Sequence, residues 1–240
     1  MNSLRSPGSG RKIPRTIVII PAHNEASDIG RVIAEVREEV TAFPVVVVDD
    51  ASSDDTRELA RSAGAIVIPL SVQLGAWGAI QAGLRYALSR DFEYAVTMDA
   101  DGQHKAGSLP AMMQPILEKR ADISIGCCTR RGSRLRKLAW GLMKGVSGLT
   151  PDDLTSGFRV YDRRAIKALA GREATLLEYQ DVGVLFMLQR EGLNIEDVEV
   201  EMPPRNSGIS RIFHSWTSVG FYMAYTLLLS LTKRQRKARL

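Results

Sequence analysis

The sequence predicts an α/β protein built on a mostly parallel, doubly wound sheet, and three observations support this fold class. Residues 16–20 and 45–48 are short, continuous apolar runs rich in β-branched residues, which is typical of strands buried on both faces. Between them, apolar residues recur at three- and four-residue spacing from Ile29 to Val40, which indicates an amphipathic helix. Strand and helix then keep alternating, as parallel strands joined by helices do.

The alternation continues through the middle of the chain. Helices are predicted at 55–62, 79–89 and 109–120, and strands at 66–69, 94–98 and 123–126. The second half has candidate strands at 158–161 and 195–200, so we expect a mixed organisation there. No linker is long or polar enough to mark an independent second domain, and the sequence contains no internal repeat.

The net charge of +5 over 240 residues is unevenly distributed. Residues 1–15 contain four basic residues and no acidic one, and residues 233–240 contain five basic residues and no acidic one. These nine charges exceed the net charge, so the segment between the two tails is acidic overall. A nucleic-acid-binding domain is expected to carry its basic residues on the folded body, and the charge pattern therefore argues against nucleic acid as a partner.

The two cysteines, Cys127 and Cys128, are adjacent, and a disulfide between neighbours would close a strained ring. They therefore indicate no secreted disulfide framework, and a reducing compartment is expected. The N-terminal residues lack the apolar run of a signal peptide. The expected location is the cytoplasm.

Polar clusters follow three of the predicted strands. They are P-A-H-N-E at 21–25, D-D-A-S-S-D-D-T at 49–56 and D-A-D-G-Q-H at 99–104. Ligands of open parallel sheets bind beyond the carboxyl ends of the strands, so these clusters are expected at one edge of the sheet. Acidic side chains gathered there would repel one another, which implies either a cation or a set of hydrogen-bond donors.

Asp99 and Asp101 are the candidate metal ligands, because one residue separates them and Gly102 permits a tight turn. Carboxylate oxygens suit Mg²⁺ or Mn²⁺, whose remaining positions water and substrate phosphates normally fill, and a nucleoside diphosphate would fit. The alternative is purely conformational, since Asp-Gly sequences favour turns and Ser53 or Asp54 would suit the cap of the following helix.

Several enzyme classes lose support because their motifs are missing. The chain has no G-x-G-x-x-G after the first strand, no G-K-[ST] phosphate loop, no G-x-S-x-G and no His or Cys spacing for zinc. Dehydrogenases, P-loop ATPases, serine hydrolases and zinc enzymes are therefore disfavoured.

Six motifs follow one another along nearly the whole chain. They are P-A-H-N-E (21–25), V-V-D-D-A-S-S-D-D-T (47–56), Q-L-G-A-W-G-A-I-Q-A-G (73–83), M-D-A-D-G-Q-H (98–104), D-L-T-S-G-F-R (153–159) and R-N-S-G-I-S-R (205–211). Together they resemble glycosyltransferase family 2, and within it the polyprenyl-phosphate sugar transferases of the dolichol-phosphate mannosyltransferase type. The resemblance implies a nucleotide-diphospho-sugar transferase (GT-A type) fold with the sugar nucleotide on the first half of the sheet.

The resemblance also implies roles for individual residues. Nucleotide-sugar binding would fall to Pro21, Asn24, Glu25, Asp50, Gly75 and Asp99. The divalent cation, Mg²⁺ or Mn²⁺, would be held by Asp99 and Asp101, with Gln103 as a candidate third ligand. The acceptor side and its phosphate would be bound by Arg130, Arg131, Asp153, Arg159, Ser210 and Arg211, with Arg205 on a flexible loop. A cation and an arginine near the departing diphosphate would stabilise its developing charge during an inverting displacement.

Two motifs depart from the family pattern. The glycine-rich or lysine-containing segment after the third strand is replaced by Q-L-G-A-W (73–77), so Trp77 is expected to intrude near the diphosphate. The G-S-R after the fifth strand is replaced by Gly126-Cys127-Cys128, and Arg130 or Arg131 would substitute for its arginine. The first departure leaves the choice of donor open.

Asp181 is the candidate catalytic base. A hydroxyl acceptor must lose a proton, whereas a lipid phosphate is already ionised and needs no base. The alternative role of Asp181 is a favourable charge at the N-terminus of a helix predicted at 182–190. The sequence leaves both the base and the acceptor class open.

Residues 215–232 contain no charged side chain and form a predicted apolar helix of 18 residues. A polar stripe of Ser, Tyr and Thr along it is typical of an interfacial or packed helix rather than a span. Docking on a membrane, burial against the domain or a second subunit, and a true span all remain open. The basic tail after it suits anionic headgroups, although a solvated tail is the alternative.

We therefore expect a flexible basic tail at 1–15, a catalytic domain at 16–213 and an apolar helix with a basic tail at 214–240. The expected activity is metal-dependent, inverting transfer from a UDP- or GDP-sugar to a polyprenyl phosphate by a peripheral protein at the inner face of the membrane, which would contribute to cell envelope biosynthesis. Transfer to a hydroxyl of a growing glycan and a non-catalytic membrane- or partner-binding module are the alternatives. Homo-oligomerisation is open.

Overall fold

A computed structural model of the chain describes residues 14–128, 156–177 and 182–203. Within these ranges seven strands form one sheet: β1 (Thr16–Ala22), β2 (Val45–Asp49), β3 (Ile66–Pro69), β4 (Tyr94–Thr97), β5 (Ile123–Cys127), β6 (Arg159–Tyr161) and β7 (Ile195–Glu199). The helices of these ranges are α1 (Ile29–Glu39), α2 (Thr56–Ser62), α3 (Gly75–Ser89), α4 (Leu109–Leu117), α5 (Arg163–Ala170) and α6 (Val182–Arg190). Short 3₁₀ helices lie at Ala106–Ser108 and Glu173–Leu176.

The strand order is β3-β2-β1-β4-β6-β5-β7. β1 pairs in parallel with β2 and β4, β2 with β3, and β5 with β7. β6 is antiparallel to both of its neighbours, β4 and β5. The predicted α/β fold is therefore confirmed, with one antiparallel strand inserted between two parallel halves.

Both faces of the sheet are buried by helices, as the apolar runs predict. Ile17 and Ile19 of β1 belong to a core that includes side chains of α3, α5 and α6, whereas Val18 and Ile20 belong to the core formed with α1 and α4. Successive side chains of a strand point to opposite faces, so a strand covered on both faces, such as β1, is apolar on both.

Most predicted elements are present, but several ends differ. α3 begins at Gly75, four residues before the predicted start at 79, because the carboxylate of Asp50 accepts the first backbone N–H groups of the helix. α4 ends at Leu117 rather than at 120, and Lys119 follows it with a positive φ of 59°. β1 extends to Ala22, because its last residues pair in register with β2 as far as Asp49.

The predicted apolar helix at 215–232 and the basic C-terminal tail lie outside the described residues, as do residues 1–13. Among the residues that the structure describes, no helix has both the length and the apolar character needed to cross a membrane.

Candidate nucleotide-sugar site

The loops that follow β1, β2 and β4 lie side by side at the carboxyl edge of the sheet. The order β2-β1-β4 makes these three strands neighbours, and their parallel pairing brings their carboxyl ends to one edge. The backbone N–H of Asp50 donates to Ala22 (2.8 Å), and that of Met98 donates to Ile19 (3.1 Å). The three polar clusters are therefore gathered at one edge, as predicted.

The first two loops form one hydrogen-bonded unit. Asn24 has a positive φ of 54°, and its Oδ1 accepts the backbone N–H of Ser53 at 2.8 Å. The backbone N–H of Asn24 donates to Oγ of Ser52 (3.0 Å), and that of Glu25 donates to Oγ1 of Thr56 (2.8 Å). Asparagine tolerates the left-handed region better than most residues, which suits it to this turn. Pro21 lies just before the unit, paired with Val48 in β2.

The carboxylates of Asp49 and Asp50, at the end of β2, accept hydrogen bonds from protein donors. Asp49 is fully buried, and its Oδ2 accepts Nε (2.9 Å) and Nη2 (2.7 Å) of Arg57. The two oxygens of Asp50 accept the backbone N–H groups of Leu74 (2.6 Å) and Gly75 (2.9 Å) at the N-terminus of α3. Side-chain and backbone N–H groups therefore bind both carboxylates at this edge of the sheet.

Trp77 has a different position from the one the family pattern suggested, whereas Gly75 lies beside Asp50. Gly75 opens α3 with a positive φ of 78°, next to Asp50. Trp77 is only 4% exposed, and its Nε1 donates to the carbonyl of Ala174 at 2.8 Å. The expectation that Trp77 intrudes near the diphosphate is therefore wrong, because the helical periodicity of α3 turns its indole into the core.

The loop after β4 contains the predicted metal-binding pair. The side chain of Asp99 is 44% exposed, whereas Asp101 is buried and its Oδ1 accepts the backbone N–H of Gln103 at 2.9 Å. Gly102 has a φ of 74°, in the left-handed region that glycine adopts readily, as predicted for a tight turn. Nε2 of Gln103 lies 3.4 Å from the carbonyl of Pro203, near the start of the R-N-S-G-I-S-R motif.

Helix α1 contacts this loop through Arg31 and Glu35, which were not among the predicted site residues. The guanidinium of Arg31 lies over Gly102, such that a Cβ at position 102 would come within 2.3 Å of Nη2. One turn later, Oε1 of Glu35 accepts the backbone N–H of Ala106 (3.1 Å). Residues four apart share one face of a helix, and this spacing of two charged residues was the available signal.

Arg31 also pairs with Asp28, and the pair gives a testable pH dependence. Nη2 of Arg31 donates to Oδ1 of Asp28 at 2.6 Å, and this bond, with help from the hydroxyl of Ser27, lowers the pKa of Asp28 below its ordinary value of 3.8. A lowered pKa in the folded state stabilises the fold above the ordinary pKa, and the contribution is lost as the pH falls through the folded value. We expect wild type to exceed Asp28→Asn in free energy of unfolding at neutral pH.

That difference should shrink in acid. Urea unfolding of both proteins at pH 7 and at roughly pH 2–3 measures it, because the charge of the carboxyl is lost as the pH falls through its folded pKa. An equal difference at both pH values would show that Asp28 stabilises the fold through something other than its charge.

The S-G-F segment before β6 packs against Asp99 from the other side. Oγ1 of Thr97 donates to the carbonyl of Gly157 at 2.8 Å, and a Cβ at position 157 would lie 2.8 Å from Oδ1 of Asp99. A Cβ at this position would therefore force the carboxylate of Asp99 to shift. Arg159 is fully buried in β6, where its Nε donates to the carbonyl of Ser156 (2.8 Å). Its predicted role on the acceptor side remains a prediction.

Seven of the predicted site residues lie outside the described ranges: Arg130, Arg131, Asp153, Asp181, Arg205, Ser210 and Arg211. The helix predicted after Asp181 is present as α6, which begins at Val182. The role of Asp181 as a base or as a helix-terminal charge remains a prediction.

The turn at residues 99–102, called the Asp99 turn below, offers oxygen atoms that fit a hard divalent cation. Both predicted ligands offer carboxylate oxygens, which Mg²⁺ and Mn²⁺ prefer. Across 14–128, 156–177 and 182–203, no three His, Cys, Asp or Glu side chains are grouped closely enough to hold a metal ion. A cation at this turn would therefore depend on two carboxylates plus oxygens from a substrate or water.

A groove of about 460 Å³ lies elsewhere, on the helical face between α5 and α6. Its lining includes Arg164 near the start of α5 and Glu191 and Leu193 after α6. These residues are near Asp122 and the start of β7, at the amino ends of β5 and β7. The groove is therefore not part of the site at the carboxyl edge.

Comparison with known proteins agrees with this geometry. The family model described as Glycosyl transferase family 2 matches residues 17–170. Undecaprenyl-phosphate mannosyltransferase of Micrococcus luteus is 29% identical over 215 residues, which cover 82% of this chain and 87% of that protein. Polyprenol monophosphomannose synthase of Mycolicibacterium smegmatis is 25% identical over 228 residues, covering 86% of this chain and 84% of the relative.

Solved structures share the fold. Glucosyl-3-phosphoglycerate synthase of Mycobacterium tuberculosis, in complex with Mn²⁺, UDP and phosphoglyceric acid, superposes with a TM-score of 0.69 at 21% identity, covering 92% of this chain and 78% of that one. Mannosyl-3-phosphoglycerate synthase of Rubrobacter xylanophilus superposes with a TM-score of 0.66 at 19% identity. The match covers 95% of this chain and 76% of that one. The match of the family model to more than half of the residues establishes that the chain belongs to glycosyl transferase family 2 and is a glycosyltransferase.

Proposed function

We propose that the protein transfers a sugar from a UDP- or GDP-sugar to a polyprenyl phosphate, with a divalent cation bound at the Asp99 turn. The observation that supports this most directly is the position of Asp99 and Asp101. They follow the central strand β4, beside the hydrogen-bonded loops of β1 and β2. A nucleoside on those loops would place its diphosphate next to the carboxylates, since ligands of such sheets bind across the carboxyl edge.

The acceptor class is inferred from the relatives. Two of them are named for transfer of mannose to an undecaprenyl or polyprenol phosphate, and a third, from Methanococcus voltae, is named for transfer of N-acetylglucosamine from UDP to dolichyl phosphate. Their names differ in the sugar, so the acceptor class is the more general inference. A phosphate acceptor is ionised at neutral pH and attacks without a general base.

Divalent metal dependence is inferred from the carboxylate pair and from the fold neighbours. Structures of glucosyl-3-phosphoglycerate synthase contain Mn²⁺ or Mg²⁺ together with UDP. When bound, such an ion neutralises charge that develops on the departing diphosphate. Asp99 and Asp101 would hold it, Gln103 is the candidate third ligand, and Asn24, Glu25 and Asp50 would form the nucleoside side of the site.

The acceptor phosphate would be bound by arginines on the second half of the chain. Arg205, Ser210 and Arg211 would act from the loop after β7, and Arg130 or Arg131 from the segment after β5. We further propose that the apolar segment at 215–232 and the basic tail bring this site to the cytoplasmic face of a membrane, where a polyprenyl phosphate presents its headgroup.

One transfer assay tests donor, acceptor and membrane together. The full chain is incubated with Mn²⁺ and radiolabelled UDP-glucose, UDP-N-acetylglucosamine or GDP-mannose, with undecaprenyl phosphate in vesicles of neutral or anionic lipid. We expect label in the lipid extract for one donor, faster transfer on anionic vesicles, and loss of transfer in EDTA.

Other outcomes of the same assay identify the alternatives. Transfer to an oligosaccharide but not to undecaprenyl phosphate would replace the proposed acceptor with a glycan hydroxyl and make Asp181 the base to test. No transfer and no donor hydrolysis with any of the three donors would favour a non-catalytic binding protein. Equal rates on neutral and anionic vesicles would contradict the electrostatic part of the membrane proposal.

A further inference from the structure

His104 lies directly beside the candidate metal-binding carboxylate. It is buried, and its ring stacks on Phe158 with the ring centroids 5.0 Å apart and the planes at 15°. Its Nδ1 accepts the backbone N–H of Asp99 at 2.9 Å. Nε2 lies 3.6 Å from Oδ2 of Asp99. Both nitrogens of one imidazole therefore face the same residue, one toward its backbone and the other toward its carboxylate.

These contacts define the tautomer of the neutral ring. A neutral imidazole has one donor and one acceptor nitrogen. Nδ1 accepts from a backbone N–H, so the proton of the neutral form is on Nε2, which faces the carboxylate. The distance of 3.6 Å between Nε2 and Oδ2 of Asp99 is longer than an ordinary hydrogen bond. The attraction between this N–H and the carboxylate is therefore electrostatic.

The other carboxylate oxygen of Asp99 lies close to the segment that also supports the ring. Gly157 approaches Oδ1 of Asp99 so closely that a Cβ there would be 2.8 Å away, and the next residue, Phe158, stacks on His104. The antiparallel pairing of Thr97 with Arg159 places this segment beside the end of β4. One oxygen of the carboxylate is thus near an imidazole and the other is near a glycine backbone.

We propose that His104 is a positioning residue for Asp99, which fixes the backbone and the carboxylate of Asp99 in the orientation that binds the divalent cation. This inference rests on the proposed function, because it takes Asp99 to be a metal ligand. A carboxylate that is 44% exposed would otherwise sample several rotamers, and binding would then cost the ordering of the side chain. Groups that orient a metal ligand typically change metal affinity or activity by about 10- to 100-fold when mutated.

The test measures Mn²⁺ affinity of the full-length protein in the absence of any sugar nucleotide, by calorimetry or by the electron paramagnetic resonance of free Mn²⁺. His104→Phe keeps an aromatic ring on Phe158 and removes both contacts with Asp99. His104→Gln restores a donor near the position of Nε2. We expect Mn²⁺ to bind roughly 10-fold more weakly to His104→Phe, with at least partial recovery in His104→Gln.

Two further variants separate positioning from general destabilisation. Gly157→Ala presses on Asp99 from the other side and leaves the imidazole in place, so it should also weaken Mn²⁺ binding. It tests separately whether the position of the Asp99 carboxylate determines the affinity for Mn²⁺, even if His104→Phe fails to fold. Trp77→Phe removes a buried hydrogen bond in the core on the other face of the sheet and does not contact Asp99, so it should lower thermal stability without changing Mn²⁺ affinity.

The outcomes distinguish this inference from the proposed function. If Asp99→Asn leaves Mn²⁺ binding unchanged, Asp99 is not a metal ligand, and both fail. If Asp99→Asn abolishes binding but folded His104→Phe binds Mn²⁺ like wild type, the positioning role alone is overturned. It is also overturned if His104→Gln binds no better than His104→Phe when both are folded, because the donor toward Asp99 then has no effect.

Discussion

Replacing Asp99 with Asn is expected to reduce sugar transfer by roughly 10²- to 10³-fold while the protein stays folded. The amide has nearly the same shape as the carboxylate but lacks the charge that a divalent cation requires. Asp99 is 44% exposed and compensated by no arginine or lysine ion pair within the described residues, so its charge contributes little to the fold. The measurement is the initial rate of transfer to undecaprenyl phosphate at saturating Mn²⁺, with circular dichroism as the check on folding.

Asp91→Asn is the matched control for this prediction. Asp91 has the same substitution chemistry and lies before β4, at the opposite edge of the sheet. Its φ of 58° is a conformation that asparagine also adopts readily. This variant should transfer sugar at the wild-type rate. Full activity in Asp99→Asn would remove the carboxylate pair from the mechanism, and loss of activity in both variants would indicate that the effect is not specific to the site.

Arg57→Met is expected to destabilise the protein by roughly 3–5 kcal/mol, which is more than the loss expected for Asp49→Leu. The two residues form one ion pair, but Asp49 is fully buried whereas the side chain of Arg57 is 33% exposed. Without Asp49, the guanidinium can turn toward water. Without Arg57, the carboxylate stays buried next to a single remaining donor, the backbone N–H of Ser52. Leaving an uncompensated buried charge is the more costly of the two changes.

Urea unfolding of the two single variants and the double variant Asp49→Leu/Arg57→Met tests this asymmetry. The double variant replaces the pair by apolar side chains, so it should be more stable than Arg57→Met alone. Equal destabilisation by the two single variants would contradict the argument from burial. A double variant with the summed loss of both singles would show that the two side chains do not interact.

Local sequence patterns predicted the parts of the fold that depend on neighbouring residues. The run of four valines at 45–48 identified a strand buried on both faces, because such a strand needs an apolar residue at every position. Asp99, Asp101 and Gly102 were identified because spacing and turn chemistry are visible along the chain. The direction of β6 was not predicted, because three residues carry no pattern that distinguishes antiparallel from parallel pairing.

Other features depend on contacts between distant parts of the chain. The early start of α3 at Gly75 follows from Asp50, which precedes it by 25 residues. The contact between Gly157 and Asp99 joins residues that are far apart in sequence, and no local signal marks a glycine as the neighbour of a carboxylate. The burial of Trp77 follows from the face of α3 on which it lies, and the family pattern for this segment does not describe that face. The spacing of Arg31 and Glu35, four residues apart on α1, is visible in the sequence, but it does not show which loop they contact.

The antiparallel strand β6 also has a consequence for the order in which the protein folds. Ala95 of β4 pairs with Tyr161, so the middle of the sheet cannot close until about two thirds of the chain has left the ribosome. Such pairings of high contact order slow folding, because the intervening loop must lose its entropy first. Until then, the edge strands β4 and β5 present unpaired backbone groups, which makes this nascent intermediate the stage most exposed to aggregation.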